Sequence, residues 1–87
     1  MPYAIRFKSS ARREYDKLED SLKSKIRSAI DDLGQAPRPH GAIKLTNSGN
    51  EYRFRVGSQR IVYTIEESIK VVEIQRIRDR REVYRKR

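Results

Sequence analysis

Between Tyr3 and Lys8 the chain alternates, with Tyr3, Ile5 and Phe7 on one side and Arg6 and Lys8 on the other. A period of two marks a strand with one buried face, so the chain is expected to open on a β-strand. The period then changes. Ser9 and Ser10 offer helix N-caps, and Ala11, Tyr15 and Leu18 fall on one helical face. Asp20 or Ser21 restarts the chain, and Leu22, Ile26, Ala29, Ile30 and Leu33 trace a second stripe at helical spacing, closed by Gly34 and Pro37. Two short helices joined by a tight break predict an αα-hairpin.

The segment Pro37-Arg38-Pro39-His40-Gly41 cannot continue a helix and reads as a loop. Ala42 to Leu45 is a candidate short strand, and Thr46-Asn47-Ser48-Gly49-Asn50 is turn chemistry. Strand-like runs follow at Tyr52 to Val56, Arg60 to Ile65 and Ile69 to Ile77, with Gly57-Ser58 suited to a two-residue type II′ hairpin turn. The polar stretch from Arg78 to Arg87 predicts a short C-terminal helix, with Asp79 as its candidate cap. The helix pair needs an apolar surface to cover, and the sheet needs one face covered. The expected fold is therefore α+β: an N-terminal strand, an αα-hairpin packed on one face of an antiparallel β-meander, and a short C-terminal helix. Residues 1–87 contain no repeat and no long linker, so a single domain is expected.

If Gly57-Ser58 is the turn, the hairpin register follows. Arg55 opposes Arg60, Phe54 opposes Ile61, Arg53 opposes Val62, and Tyr52 opposes Tyr63. Tyr52, Phe54, Val56, Ile61, Tyr63 and Ile65 then share the core face, while Arg53, Arg55 and Arg60 share the open face with Val62 and Thr64. Like charges paired across a ladder destabilise a sheet, by up to about 1 kcal/mol per pair. Glu73 and Gln75 on the next strand are candidates to relieve it. A bound phosphate would cancel the repulsion outright.

Composition sharpens this picture. The chain carries 21 Lys and Arg against 12 Asp and Glu, a net charge of +9, which favours a polyanionic partner. It has no cysteine, which removes disulfides, thiolate zinc sites and cysteine nucleophiles and fits the cytoplasm. With one histidine, a dedicated metal site is not expected, nor any other cofactor. No apolar run has the length of a membrane span, and Met1-Pro2-Tyr3 does not read as the start of a signal peptide.

A second basic cluster comprises Arg76, Arg78, Arg80, Arg81, Arg85, Lys86 and Arg87, offset by Asp79 and Glu82. Val83 and Tyr84 within it argue for docking rather than a free tail. Tyr84 is either a core anchor or a platform for stacking a nucleobase. His40 is an acid–base candidate by residue type. It lies in a loop far along the sequence from the arginines, and reads as a surface histidine whose replacement should change little.

The runs Tyr52-Arg53-Phe54-Arg55, Gln59-Arg60-Ile61-Val62-Tyr63 and Arg78-Asp79-Arg80-Arg81-Glu82-Val83-Tyr84, preceded by Lys44-Leu45 ahead of a turn, resemble the RelE toxins of the RelE/ParE superfamily. The resemblance implies a toxin that enters the ribosomal A site and cuts the mRNA codon there. The RNA's own 2′-hydroxyl attacks the neighbouring phosphate, leaving a 2′,3′-cyclic phosphate and a 5′-hydroxyl. It implies catalytic roles for Arg53, Arg55, Arg60, Arg78 and Tyr84, with Arg76, Arg80, Arg81 and Lys44 on the RNA. A cognate RelB-like antitoxin, one that displaces the last helix, is implied as well.

Arg53 and Arg55 stand where the family carries lysines. A lysine can lose its proton when crowded by cations, whereas arginine effectively cannot. Glu82, Glu51, Tyr84, water or no discrete base are the alternatives for taking the 2′-hydroxyl proton, and the last two are preferred. Two other functions share these features. One is a ParE-like inhibitor that binds DNA gyrase, and the other is a basic nucleic-acid-binding module without chemistry.

Overall fold

The structure, a computed structural model, describes residues 2–45 and 49–79. Its elements run β1 (Ala4–Phe7), α1 (Ser9–Asp16), α2 (Asp20–Gln35), β2 (Ile43–Lys44), β3 (Glu51–Val56), β4 (Gln59–Glu66) and β5 (Val71–Asp79). The strands form one five-stranded sheet in the order β1-β5-β4-β3-β2. The expected meander is present, antiparallel from β2 through β5, and β1 joins its far edge parallel to β5. The helix pair carries the chain from one edge of the sheet to the other.

The core lies between that pair and β5 and β4, the two strands inside the β1 edge. Ala11, Ile26, Ile30 and Leu33 from the helices meet Ile61, Tyr63, Ile65, Val72, Ile74 and Ile77 from β4 and β5. Tyr52, Phe54 and Val56 of β3 pack on its margin. These are the side chains whose alternation predicted a buried face. None of the described helices is long and apolar enough to cross a membrane.

Several local expectations change. Ser9 and Ser10 do not cap α1: the N-cap is Lys8, and no side-chain cap bond forms. Lys8 still pairs with the sheet through its N–H to the Ile74 carbonyl at 2.9 Å, while its own carbonyl accepts the first helical bond from Arg12. The strand thus turns directly into the helix, and the Ser10 hydroxyl crosses to the Gln75 carbonyl at 3.3 Å. Glu19 likewise takes the cap position of α2, one residue before the expected start.

Gly34 does not end α2, which continues to Gln35. Its hydrogen side chain instead permits a close approach. A Cβ there would sit 3.1 Å from the Tyr3 carbonyl oxygen, and the Tyr3 N–H bonds the Gly34 carbonyl at 2.7 Å. The last strand starts two residues later than Ile69, because Lys70 adopts φ 55° to close the turn and leaves Ile69 exposed. At the other end, Arg78 and Asp79 extend β5 rather than beginning a helix, and the expected C-terminal helix otherwise lies outside the described residues.

Candidate functional site

The β3–β4 hairpin has the predicted register, with Arg55 opposite Arg60, Arg53 opposite Val62 and Tyr52 opposite Tyr63. Gly57 takes φ 60° while Ser58 does not take a positive φ, as a type II′ turn requires. On the other flank, Arg60 is also the cross-strand partner of Arg78, and Val62 of Arg76. A row Arg55–Arg60–Arg78 therefore crosses three adjacent strands, beside a second row running Ile43–Arg53–Val62–Arg76.

A register shift makes the last strand fit. Strict alternation from Val72 and Ile74 would send Arg76 into the core. The pairing slips between Val62 and Tyr63, so that Tyr63 meets Ile74 while Val62 meets Arg76, and Gln75 is the extra residue. Ile77 is thereby buried opposite Ile61, and Arg76 and Arg78 fall in line with the open face. Gln75 donates to Thr64 Oγ1 and to Glu73, and Glu73 also accepts from Arg6 at 3.2 Å. The relief expected from Glu73 and Gln75 is thus directed toward Thr64 and Arg6, one end of the sheet away from Arg55 and Arg60.

The acid that does reach the basic rows is Glu14 of α1, which sequence reasoning did not single out. β1 pairs with β5 only as far as Ile74, leaving the rest of that strand an open edge. The Glu14 carboxylate covers it, accepting the Ile77 backbone N–H at 2.7 Å and three bonds from the Arg76 guanidinium, the shortest at 2.9 Å. Its second oxygen also lies 3.8 Å from Arg78 Nε. The hydrogen bond to Glu14 holds the Arg76 guanidinium above its ordinary pKa. One carboxylate therefore satisfies an edge donor and offsets two cations. Nothing in the spacing around Glu14 sets it apart from the other acids on the helices.

Arg53, Arg55 and Arg60 differ: among the described residues, no side-chain hydrogen bond or ion pair engages any of the three. They line one groove of about 460 Å³ together with His40, Gly41, Ile43 and Phe54. Three guanidinium groups facing one space have the chemistry to hold a phosphate-sized anion, since planar fork donors match phosphate oxygens in pairs.

The wall opposite the arginines is a pinned loop. The buried Tyr63 hydroxyl donates to the Pro37 carbonyl at 2.8 Å, and burial pushes its pKa up to about 12. Arg38 donates to Glu67 at 2.5 Å and to the Tyr52 hydroxyl at 3.1 Å, and these bonds raise its pKa. Glu67 also accepts from the Tyr3 hydroxyl at 2.7 Å, and its pKa is lowered first by that bond and then by Arg38. Beyond this clasp, Ala42 N–H bonds the Pro39 carbonyl at 3.0 Å and Gly41 takes φ 97°, the geometry of a type II turn. His40 occupies the leading corner of that turn, exposed on the groove's rim.

Of the remaining sequence-predicted residues, Lys44 is not brought to the groove. It pairs with Tyr52 in β2, so it faces the helix side of the sheet, whereas its neighbour Ile43 pairs with Arg53 and shares the arginine face. Arg80, Arg81 and Tyr84 lie outside the described residues.

Comparison with known proteins agrees with this arrangement. Residues 5–84 match the family model for the ParE toxin of the type II toxin–antitoxin system parDE. Toxin RelG of Mycobacterium tuberculosis is 31% identical over 87 residues, covering 99% of this chain and 100% of that protein. Among solved structures, a chain of the RelBE2 toxin–antitoxin complex from the same organism superposes with a TM-score of 0.82 at 27% identity, covering 92% of this chain and 93% of that one. A chain of the archaeal RelE–RelB complex of Pyrococcus horikoshii gives 0.81 at 25% identity, covering 92% and 97%. The isolated Escherichia coli RelE toxin has the same fold, with a TM-score of 0.80 at 23% identity over 94% of this chain and 90% of that chain. By sequence and by fold alike, this chain belongs to the RelE/ParE superfamily of type II toxin–antitoxin toxins.

Proposed function

We propose that this toxin is a ribosome-dependent endoribonuclease that cuts mRNA at the codon in the A site and so arrests translation in the cytoplasm. The observation that carries the reading is the groove in which Arg53, Arg55 and Arg60 face one space without an acid among them. Attack by the RNA's own 2′-hydroxyl needs no metal-activated water. It needs in-line alignment, which a ribosome-held codon supplies, and a field that stabilises the extra charge on phosphorus. Arg53, Arg55 and Arg60 provide that field. Arg78, next to Arg60 in the same row, stabilises the departing 5′-oxygen, with Glu14 fixing its side of the strand. Arg76, Arg80 and Arg81 extend the basic track along the RNA backbone, and Tyr84 stacks on a base.

A RelB-like antitoxin is the expected partner, because relatives of this fold were solved as toxin–antitoxin complexes. It would neutralise the toxin by occupying the basic face. Lys44, directed to the other face, drops out of the proposed RNA contacts.

The test is induction in cells with mapping of mRNA 5′ ends, together with purified toxin on programmed ribosomes. Cuts inside translated codons are expected. Arg60→Ala and Arg78→Ala should each lower single-turnover cleavage by about 100-fold or more, as loss of a preorganised donor does. The family model carries the ParE name, so a DNA gyrase assay runs alongside. Inhibited supercoiling with intact mRNA would replace the ribonuclease reading by the ParE-like one, and wild-type cleavage by both variants would remove the arginine assignment.

A further inference from the structure

We propose that His40 is the proton acceptor for the attacking 2′-hydroxyl, an inference that rests on the ribonuclease reading above and deepens it. The groove presents a chemical gap. Its cationic wall consists of arginines, and a guanidinium, with a pKa above about 12, does not take up a proton at neutral pH. Transesterification by a 2′-hydroxyl nevertheless has to release one. Imidazole is the side chain whose ordinary titration range spans physiological pH, and one nitrogen of its neutral form is an acceptor. Among the described residues lining the groove, His40 alone has that capacity.

Position supports chemistry. Sequence distance separates His40 from the arginines, but the fold brings its turn against β3: a Cβ at Gly41 would lie 3.7 Å from the Phe54 ring. The turn is anchored just before His40 by the Tyr63–Pro37 and Arg38–Glu67 bonds and closed just after it by the Ala42–Pro39 bond. An exposed side chain on so constrained a backbone is presented to the groove rather than left to roam. The charged groups around it are Arg53 and Arg55 from β3 and Arg60 from β4. On the α2 side, Lys25 and Asp32 share with Pro39 and Arg55 a neighbouring recess, and Arg38 is turned away to Tyr52 and Glu67. Glu51 is on the arginine face but pairs with Thr64 at the far end of the strand, and does not line the groove.

The step balances without a further reactant. The 2′-hydroxyl proton passes to the unprotonated imidazole nitrogen as the 2′-oxygen bonds to phosphorus. The bond from phosphorus to the 5′-oxygen then breaks with its electron pair, giving the cyclic phosphate. The 5′-oxygen takes a proton from solvent, and the imidazolium returns its own to solvent. The imidazolium forms only as the phosphorus group gains a second negative charge beside it, so its charge arises next to an anion rather than next to three bare cations.

Single-turnover cleavage on programmed ribosomes, measured between about pH 5 and 8, tests this. His40→Ala and the bulkier His40→Gln should fold with unchanged thermal midpoints, since the side chain is exposed. Both should cleave about 100-fold more slowly or worse, the usual contribution of a positioned base. Both should lose the acid limb of the pH profile, and added imidazole should restore part of the His40→Ala rate. Rates within about threefold of wild type, or a loss with an unchanged pH profile and no rescue, overturn the assignment. If the histidine variants cleave normally while Arg60→Ala does not, the histidine is wrong and the ribonuclease reading stands. If the wild-type toxin cuts no codon, both fall together.

Discussion

Arg60 is the residue whose removal should make the toxin more stable as it disarms it. It is the cross-strand partner of Arg55 on one side and of Arg78 on the other. A like-charge pair in this position costs up to about 1 kcal/mol, and solvent exposure moves the cost toward the lower part of that range. Arg78 is partly offset by Glu14, 3.8 Å from its Nε, so the pair with Arg55 carries most of the repulsion. Arg60→Gln keeps part of the aliphatic stem against the sheet and deletes the charge. The expected gain is about 0.2–1 kcal/mol at low salt, and a domain of this size gains roughly 4–8 °C in Tm per kcal/mol. In 1 M salt the Debye length shrinks to about 3 Å, and most of the gain should vanish. Thermal unfolding of the free toxin and variant in low and high salt reads this out, with codon cleavage measured on the same preparations. A lower Tm for Arg60→Gln at low salt, or a gain that salt does not touch, would refute the claim that the row is held together against its own charge.

Two predictions concern the frame around the groove. Gly34→Ala should gain about 1 kcal/mol of helix propensity and lose more, because its Cβ would meet the Tyr3 carbonyl at 3.1 Å and Ile5 Cδ1 at 3.4 Å where β1 is tied to the helix; calorimetry should show a lower Tm, and a higher one would mean that β1 yields freely. Tyr63 keeps its proton in the folded state up to about 12, above the value of about 10 for an unfolded tyrosine. Its contribution is therefore complete below pH 10 and lost as pH rises toward 12, and Tyr63→Phe should blunt that alkaline loss in urea titrations while costing about 1 kcal/mol at neutral pH.

The open face was legible in the sequence because two constraints coincide there. A two-residue turn at Gly57-Ser58 sets the pairing, and alternation in both strands then assigns every side chain to a face without adjustment. Where only one constraint acts, the reading slipped. β5 has no short turn to fix it, and its apolar residues Val72, Ile74 and Ile77 break period two at the point where the pairing shifts. Ser9 and Ser10 have the chemistry of caps, yet the strand's own hydrogen bond at Lys8 decided where α1 begins. Gly34 reads as a terminator by residue type, although what requires it is a backbone from the far end of the chain. Glu14 and His40 carry no local signature at all. One reaches β5 from a helix, the other reaches the groove from a loop, and only tertiary packing places either.

The distribution of acids gives the groove its meaning. Five of the described carboxylates are paired with cations elsewhere: Asp16 with Arg12, Asp31 with Arg27, Glu67 with Arg38, Glu73 with Arg6, and Glu14 with Arg76 and Arg78. This chain therefore pairs its arginines readily on the helices, at the sheet edge and beneath the loop. Glu14 reaches this sheet face at one flank, but among the described residues no acid lines the groove where Arg53, Arg55 and Arg60 crowd, although the hairpin offers positions such as Val62 and Thr64 between and beside them. Folding alone would favour filling one of those positions with an acid, since cross-strand opposite charges stabilise a sheet. Leaving them neutral keeps the field open for a counter-charge that arrives from outside, and keeps it strongest where a phosphate would have to change shape.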